Sequence, residues 1–399
     1  MHLRFRGAAL ATVLAAACGG DAPAVPGLHA RAVQGTLGSP LQAVSLLGLF
    51  TIPLRVDGAA GPPLLVDTGS PATFIAPGNF GVEASRTGTG TARLGGTTFE
   101  VEGVPVVYLD PLALAPVAGG IVGADLLCQF PSTWDFQRTR FTLGAPPADV
   151  DADGEAAPVA FTLRGGGALT FDGVHAVTVP ATRIVVDATL EGRALRLLVD
   201  LGASTVALRD DLVSAIAADG RRTLRIAEAA QGGTSTHTLL RVRSLGALGV
   251  SRERLAVLGI STAAMQSLSS ETGVAVDGLL GVEFFRPWLS TVDYPALRLR
   301  LRHYRDQTHV TDPWTRAGVL LAGDGSGATT VGYVAPGSAA EAAGFRAGEH
   351  LVSVDARPVD GVGHDVVDGW LRGAVGETRR VATDARTAAV AVEDLLPLP

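Results

Sequence analysis

The chain has 399 residues, enough for two or three domains, and a hydrophobic fraction of 47 % that excludes wholesale disorder. Its formal net charge of -7 at pH 7 is spread along the chain without a basic run, which argues against nucleic acid and anionic membrane surfaces as partners. Abundant glycine and few aromatic residues, 5 %, favour strands, so we expect a mainly β protein.

The first residues have the pattern of an export signal. Arg4 and Arg6 precede an apolar segment that is too short to span a bilayer, and Cys18 follows it. This start resembles a bacterial lipoprotein signal, which implies that residues 1–18 are the signal and that Cys18 carries the lipid. The protein is then exported to the cell envelope, on the periplasmic or outer membrane face, and touches the membrane only through this anchor. Simple secretion and a cytoplasmic chain with an incidental apolar start are the alternatives. Residues 19–45, rich in Ala, Gly and Pro, are predicted to be a tether.

Two apolar strands are predicted to end on a carboxylate. Each strand runs into a four-residue loop that begins with aspartate: Asp67, Thr68, Gly69 and Ser70 in the first copy, and Asp200, Leu201, Gly202 and Ala203 in the second. A charge at the end of a buried strand is costly unless partners compensate it. Two such carboxylates, one from each half of a duplicated unit, are what an acid/base site with a shared proton requires.

The spacing of the two signatures supports a duplication. The interval from Asp67 to Asp200 is shorter than the interval from Gly123 to Gly281. Shifting residues 121–143 by the longer interval superimposes them on residues 279–301, so the two stretches align without a gap. The difference between the intervals predicts an insertion of about 25 residues between the two signatures of the second unit.

Turn and linker signals divide the chain. Residues 145–158 combine Pro, acidic residues and Gly without apolar periodicity and are predicted to be a linker. It separates a unit at 46–144 from a second at 159–305, and the character changes again in a third unit at 312–397. The segment Arg86 to Phe99 predicts a hairpin, which we interpret as a flap over a cleft, with an ordinary surface hairpin as the alternative.

The duplicated units resemble retropepsin-like bacterial aspartic proteases of the pepsin/retropepsin superfamily. In that family each lobe offers an Asp-Thr/Ser-Gly loop and a later apolar-apolar-Gly strand that threads beneath it; here the threading strands end at Gly123 and Gly281. The resemblance implies two duplicated β-barrel lobes, in which Asp67 and Asp200 activate a water to hydrolyse peptide bonds of a peptide or unfolded protein. It implies no cofactor and no metal. Because one chain carries both lobes, we expect a monomer.

The second loop departs from the family pattern. The residue after each aspartate in that family bears a hydroxyl that bonds across the lobe interface, which Thr68 can supply and Leu201 cannot. We therefore expect only one of the two loops to supply a hydroxyl that bonds across the lobe interface. A rival hypothesis follows, a non-catalytic envelope protein that binds peptides on a degenerate protease scaffold. A third is a structural envelope lipoprotein whose cleft has no ligand.

The third unit is similar to a PDZ domain of the prokaryotic type, a small α+β fold. The match is closest over residues 336–359, and Gly318, Val319 and Leu320 lie where that family keeps its carboxylate-binding loop. The resemblance implies docking of a protein or a peptide carboxyl terminus by strand addition at a sheet edge.

Other polar residues are given structural interpretations. Asp125 and Glu283 follow the threading glycines and are predicted to be structural or solvent-facing, and Asp135 and Asp293 are predicted to form turns. The eight histidines show no metal-ligand spacing. The absence of H-E-x-x-H and G-x-S-x-G argues against a metalloprotease and a serine hydrolase.

Overall fold

The computed structural model describes residues 32–399 apart from 47, 83–87, 110–118, 146–149, 151, 156–157, 172–174, 231–232 and 324–328. In this part of the chain strands dominate and the helices are short, so the fold is mainly β, with two duplicated lobes and a small α+β carboxy-terminal domain. No helix among the described residues is both long enough and apolar enough to cross a membrane.

Lobe 1 is built on a sheet that surrounds the first aspartate loop. Its strands are β1 Ala32–Gly35, β2 Leu41–Gln42, β3 Val44–Leu46, β4 Leu49–Ile52, β5 Arg55–Val56, β6 Leu64–Val66, β7 Phe74–Ile75, β8 Gly88–Gly95, β9 Phe99–Tyr108, β10 Gly120–Val122, β11 Pro131–Asp135 and β12 Arg140–Leu143, with a 3-10 turn at Pro77–Phe80 and helix α1 at Ala124–Leu127. The central strands lie in the order β6, β10, β7, β9, β8. β10 is parallel to β6 and antiparallel to β7, so it threads between the strands that flank the loop.

Lobe 2 repeats this arrangement. Its strands, with those that lead into it, are β13 Ala152–Glu155, β14 Val159–Ala160, β15 Leu163–Arg164, β16 Gly167–Phe171, β17 His175–Val179, β18 Arg183–Leu190, β19 Arg193–Val199, β20 Val206–Arg209, β21 Thr223–Ala230, β22 Gly233–Ala247, β23 Val250–Ile260, β24 Gly278–Leu280, β25 Trp288–Asp293 and β26 Arg298–Tyr304, and its helices are α2 Asp210–Ala217, α3 Thr262–Thr272 and α4 Val282–Phe285. The order β19, β24, β20, β23, β22 is that of the central strands of lobe 1.

Strand register locates the predicted insertion. Phe74 pairs with Val107 in lobe 1, and the equivalent pair in lobe 2, Ala207 and Leu258, is separated by a longer stretch of chain. Most of the inserted residues therefore lie in the segment that forms α2, β21 and part of β22. The rest precede Gly281, in the segment that contains α3.

The two lobes share one sheet, with strand order β13, β26, β25, β11, β12, β2. At its centre β11 pairs antiparallel with β25, and Thr133 lies directly opposite Thr291. These residues are equivalent in the repeat, and their Oγ1 atoms are 2.9 Å apart in a hydrogen bond. A local two-fold axis therefore passes between them, which is the symmetry needed to turn the two aspartate loops towards each other.

Two segments differ from the predictions made for them. Within the predicted tether, 19–45, β1 pairs with β9 and β2 pairs with β12. The predicted linker, 145–158, contributes β13, which pairs with β26. Both predictions rested on local composition, whereas the strands are held by partners far away in the chain. The signal at 1–18, with Cys18, lies outside the described residues.

The hairpin predicted at Arg86 to Phe99 is present from Gly88 onwards as β8 and β9, and residues 86–87 lie outside the described residues. Its turn lies against the amino-terminal segment, where Thr36 N donates to Thr98 O at 2.8 Å. Thr97 and Thr98 remain exposed, but this bond ties the turn to the amino-terminal segment, which does not support its interpretation as a flap.

The carboxy-terminal domain has a hydrophobic core of its own. It consists of β27 Thr315–Arg316, β28 Val319–Gly323, β29 Thr329–Val334, β30 Leu351–Val354, β31 Arg357–Pro358, β32 Thr378–Thr383, β33 Thr387–Ala391, β34 Glu393–Asp394, α5 Ala339–Ala342 and α6 His364–Trp370. Leu320 and Leu396 pack against Leu224 and Leu258 of lobe 2 in a separate apolar cluster. The domain is therefore fixed against lobe 2 by buried side chains.

Candidate active site

The two aspartate loops meet where the lobes join. Asp67 and Asp200 are buried, with 3 % and 6 % of their surface exposed. A Cβ added to Gly69 would lie 2.5 Å from Cγ of Asp200, and one added to Gly202 would lie 2.1 Å from Cγ of Asp67. Each glycine is thus packed against the carboxyl group of the opposite lobe, with no room for a side chain. The structure therefore brings the two carboxyl groups to one place.

The threading strands hold each loop from below. Asp67 N donates to Val122 O at 3.0 Å, and Asp200 N donates to Leu280 O at 3.1 Å. These bonds satisfy backbone groups at the point where each strand ends, so they fix where each aspartate leaves the sheet.

The glycines that follow the threading strands allow this close packing. A Cβ on Gly123 would fall 2.1 Å from Ala72 O, and one on Gly281 would fall 2.3 Å from Thr205 O. Real Cβ atoms do not approach backbone oxygens so closely, so any side chain at these positions would push the threading strand away from its loop.

The hydroxyl of Thr68 joins the two loops across the lobe interface. Its Oγ1 accepts from Leu201 N at 2.9 Å and donates to Val199 O at 3.1 Å. Leu201, in the equivalent place, is 1 % exposed in the apolar core and offers no hydroxyl in return. Of the two loops, only the first therefore supplies a hydroxyl that joins the lobes.

Backbone donors are distributed unequally between the two carboxylates. Asp67 Oδ1 accepts from Gly69 N at 2.6 Å and from Ser70 N at 3.1 Å. Asp200 Oδ1 accepts only from Gly202 N, at 3.0 Å, among the described residues. Because hydrogen bonds to an ionised carboxylate stabilise it, Asp67 is the better placed of the two to carry the charge.

The pKa values shift in the matching direction. Burial raises the pKa of Asp200 well above its ordinary value, and the neighbouring charge of Asp67 and the hydrogen bond to Asp67 raise it further. Burial also raises the pKa of Asp67, but the hydrogen bond from Asp200 and those from backbone N–H groups partly offset this rise. These shifts and the backbone donors both favour Asp200 as the protonated member of the pair and Asp67 as the ionised one.

The fourth loop position, Ser70 in lobe 1 and Ala203 in lobe 2, also differs between the lobes. The hydroxyl of Ser70 donates to Ala72 O at 2.8 Å, within its own loop. Ala203 has no hydroxyl, and its backbone N donates to Asp200 O at 3.2 Å. The loops are therefore alike at the aspartate and the glycine and differ at the positions beside them.

A buried arginine that was not predicted from the sequence lies near the aspartate pair. Arg183, 6 % exposed, begins β18, and its Nη2 is 2.8 Å from Oε2 of Glu271 on α3. Its positive charge opposes the burial that raises the pKa of Asp67 and Asp200. No local sequence pattern marks this residue, because the contact joins two separate segments.

The acidic residues after the threading glycines have different surroundings in the two lobes. Asp125 Oδ2 accepts from Thr73 N at 3.0 Å and its Oδ1 from Thr73 Oγ1 at 2.7 Å, and burial raises the pKa of Asp125 to about 6. Its structural role is thus confirmed. Glu283 is also buried, at 8 % exposed, so it does not face bulk solvent as an exposed residue would.

The turn-forming prediction is confirmed for Asp135, which accepts from Arg138 N, and for Asp293, which accepts from Ala296 N. Among the described residues, no group of three or more His, Cys, Asp or Glu is placed to hold a metal ion.

The three residues predicted to form a peptide-binding loop lie at the start of β28. Gly318 has a φ of +71, Val319 is in the core of the carboxy-terminal domain and Leu320 packs towards lobe 2. They therefore lie close to the interface of that domain with lobe 2.

Comparison with known proteins bears on the fold. The aspartyl protease family matches residues 186–284, a segment of lobe 2 that includes Asp200 and Gly281. Among solved structures, the aspartic proteinase from Irpex lacteus is similar at 15 % identity with a TM-score of 0.42, covering 70 % of this chain and 100 % of that one. None of the curated proteins searched matches the chain. The matched segment, with the paired aspartate loops, supports an aspartic protease fold.

Proposed function

We propose that this protein is an aspartic-type endopeptidase whose acid/base pair is Asp67 and Asp200. The observation that carries the proposal is the reciprocal packing of Gly69 and Gly202 against the carboxyl group of the opposite lobe. Two buried carboxyl groups in contact cannot both ionise, so they share a proton, which is the state that acid/base hydrolysis needs.

The unequal donors assign the roles. Ionised Asp67 removes a proton from a water held between the carboxyl groups, and the water oxygen attacks the scissile carbonyl carbon. Protonated Asp200 donates its proton to the carbonyl oxygen. When the resulting tetrahedral species breaks down, the C–N bond is cleaved and Asp67 gives its proton to the leaving nitrogen. Asp200 takes a proton from a hydroxyl of the tetrahedral carbon, so the pair again holds a single proton on Asp200.

The carboxy-terminal domain is proposed to be PDZ-like and to dock a peptide or protein. β28 pairs with β29 along one edge, and α6 packs against β28, so the strand and helix needed to flank an added peptide strand are adjacent. The export signal proposed for residues 1–18, with lipid on Cys18, would put this activity at the cell envelope.

Hydrolysis of an unfolded protein at mildly acidic pH tests the proposal. We expect turnover by the wild-type protein, inhibition by a pepstatin-like compound and loss of turnover in Asp67→Ala. Asp187→Asn is the matched control, since this aspartate on β18 has 95 % of its side chain exposed. Turnover that survives Asp67→Ala would remove the assignment.

A second candidate is a peptide-binding protein without hydrolytic activity. The observation that favours it is that Leu201 has no hydroxyl, so the second loop offers no side-chain hydrogen bond to the first. It predicts that peptides bind at the lobe interface but stay intact after long incubation, whereas the endopeptidase proposal predicts cleavage.

A further inference from the structure

A cavity of about 280 Å³ lies beside the second aspartate loop, between lobe 2 and the carboxy-terminal domain. Ala203, Ser204 and Thr205, which directly follow the loop glycine, form part of its lining. Leu258 from β23 and Leu320 from β28 contribute to the apolar part, and both belong to the buried cluster that joins the two domains. The walls are therefore held in place by a packed interface.

Two charged residues of lobe 2 also line this cavity. Glu283 lies on α4 and Arg286 caps its carboxyl end, so they are three residues apart and on the same side of the helix. The repeat places Asp125 at the position equivalent to Glu283, and Asp125 is bonded to Thr73. The residue equivalent to Thr73 is 206, a valine, which has no hydroxyl. Glu283 is therefore released from the structural role of its counterpart.

Arg286 forms no salt bridge with a carboxylate of the described residues. Glu283, Asp365 and Asp368 attract its guanidinium from beyond salt-bridge distance. The guanidinium lies against the backbone of the β3–β4 turn, where a Cβ on Gly48 would fall 2.4 Å from Nη2. An arginine held in this way presents several fixed N–H donors to whatever enters the cavity.

The carboxy-terminal domain adds further polar groups without hydrogen-bond partners. Both oxygens of Asp368 are already taken by Arg316 and Arg372. Nε of Arg316 and both ring nitrogens of His364 are buried without a hydrogen-bond partner in the described part of the chain. Buried polar groups normally find partners, so unpaired groups around a cavity indicate a ligand that would supply them.

We propose that this cavity is a specificity pocket for an acidic side chain of the bound peptide, with Arg286 as the residue that selects its carboxylate. The inference rests on the proposed function, because the peptide must run across the aspartate pair to bring a neighbouring side chain past Ala203–Thr205. The apolar walls suit the methylene groups of glutamate, and the arginine suits its head group. Residues of β28 and α6 line the cavity, so in this proposal the groove of the carboxy-terminal domain receives part of the substrate itself.

The charges around the cavity are compatible with an added carboxylate. Arg286, Arg316 and Arg372 face Asp365 and Asp368, and Glu283 is the remaining acid. Burial raises the pKa of Glu283 to about 7, so this residue can be neutral when a second carboxylate lies beside Arg286. Replacing Glu283 by glutamine therefore removes a competitor for the arginine.

Binding to a defined peptide library tests the inference separately from hydrolysis. The full chain carrying Asp67→Ala is immobilised and incubated with peptides that are acetylated and amidated at their ends and vary among Glu, Gln, Leu and Lys at one position. We expect glutamate peptides to be retained about tenfold over glutamine peptides, as for a hydrogen bond to a charged partner. Adding Arg286→Gln should abolish this ratio, and adding Arg193→Gln, an exposed arginine on β19, should leave it unchanged.

The variant Glu283→Gln distinguishes loss of the pocket from misfolding. We expect it to increase the preference for glutamate, whereas a misfolded protein would not gain selectivity. Equal retention of glutamate and glutamine peptides, or a preference that persists in Arg286→Gln, would overturn the proposal. So would selective retention only of peptides with a free terminal carboxylate, which would assign the pocket to chain ends. Absence of wild-type turnover together with an intact glutamate preference would overturn the proposed hydrolysis and leave the pocket standing.

Discussion

Thr68 and Leu201 occupy equivalent positions in the repeat, and the hydroxyl of the first accepts a 2.9 Å hydrogen bond from the backbone N–H of the second. The same hydroxyl donates to Val199 O, so one side chain satisfies both a donor and an acceptor of the opposite loop. The reverse arrangement is excluded because the side chain of leucine has no polar atom. The hydroxyl contact between the two loops therefore depends on Thr68 alone, in addition to the packing of Gly69 and Gly202.

Replacing Thr68 by valine tests this dependence. Valine has the shape of threonine but leaves Leu201 N–H and Val199 C=O without their partner, and an unpaired buried polar group costs about 1–3 kcal/mol. We expect Thr68→Val to lower the free energy of unfolding by about 2–4 kcal/mol, measured by urea titration, and to abolish turnover. Thr68→Ser keeps the hydroxyl and is the control. Stability of the valine variant within about 0.5 kcal/mol of wild type would show that the bond does not join the lobes.

The substitution Leu201→Thr gives the second loop the hydroxyl that it lacks. The side chain is fully buried in the core, so threonine exchanges apolar packing for a hydroxyl that can reach across the interface. Because Thr68 already satisfies the opposite loop, we expect turnover to change by less than about tenfold, a barrier change below about 1.4 kcal/mol. A much larger gain, measured as kcat/KM on an unfolded protein, would show that the natural second loop is impaired and favour the non-catalytic hypothesis.

The aspartate loops and threading strands could be predicted from the sequence because both are local patterns. An apolar run that ends on Asp-x-Gly needs no knowledge of distant residues, and the ungapped spacing of Gly123 and Gly281 shows that the two units have the same geometry. The absence of a hydroxyl at Leu201 was also readable. What the sequence did not show is that Thr68 alone would bond both backbone groups.

The segments that sequence analysis described incorrectly are held by contacts from far away in the chain. Residues Ala152–Glu155 have low intrinsic strand propensity and become β13 because β26 supplies the partner edge. Arg183 is near the carboxylates only because the lobe closes around it. The different surroundings of Glu283 could not be predicted from the sequence alone. The valine at position 206 became informative only once the structure of lobe 1 had shown that Asp125 bonds Thr73.

The pH dependence of turnover follows from the shared proton. The pair is active when Asp200 is protonated and Asp67 is ionised, so kcat/KM should rise as pH increases through the pKa of Asp67 and fall as pH increases through that of Asp200. Burial raises the pKa of both groups, so the bell-shaped profile should lie above the ordinary range of aspartate. A profile that stays flat from pH 3 to pH 8 would contradict the assignment of roles.

Asp125 should make the protein less stable at neutral pH than at acidic pH. Burial raises the pKa of this residue from 3.8 to about 6, so its contribution to stability is fully present below pH 3.8 and is lost as pH rises through 6. Asparagine can keep a bond to Thr73 without ionising. We expect Asp125→Asn to remove this pH-dependent loss, at most about 3 kcal/mol, in urea titrations at pH 4 and pH 7. An unchanged difference between the two pH values would show that other groups cause it.

Arg241 should hold the carboxy-terminal domain against lobe 2. It is 2 % exposed on β22 and binds Asp312 at 2.6 Å, Asp394 at 3.0 Å and the carbonyl of Leu396 at 2.8 Å. Arg241→Met keeps the apolar stem but leaves these acceptors unpaired, and because both carboxylates are partly exposed we expect a loss of about 2 kcal/mol rather than the full cost of a buried charge.

The lower stability of Arg241→Met should appear as faster cleavage by an added protease between lobe 2 and the carboxy-terminal domain, because a detached domain exposes the connecting segment. Arg254→Gln is the matched control, since Arg254 binds the same Asp394 with 52 % of its side chain exposed and should contribute little. If the two variants were cleaved at equal rates, the buried arginine would not be what fixes the domain, and the wall of the cavity formed by Leu320 would depend on the apolar cluster alone.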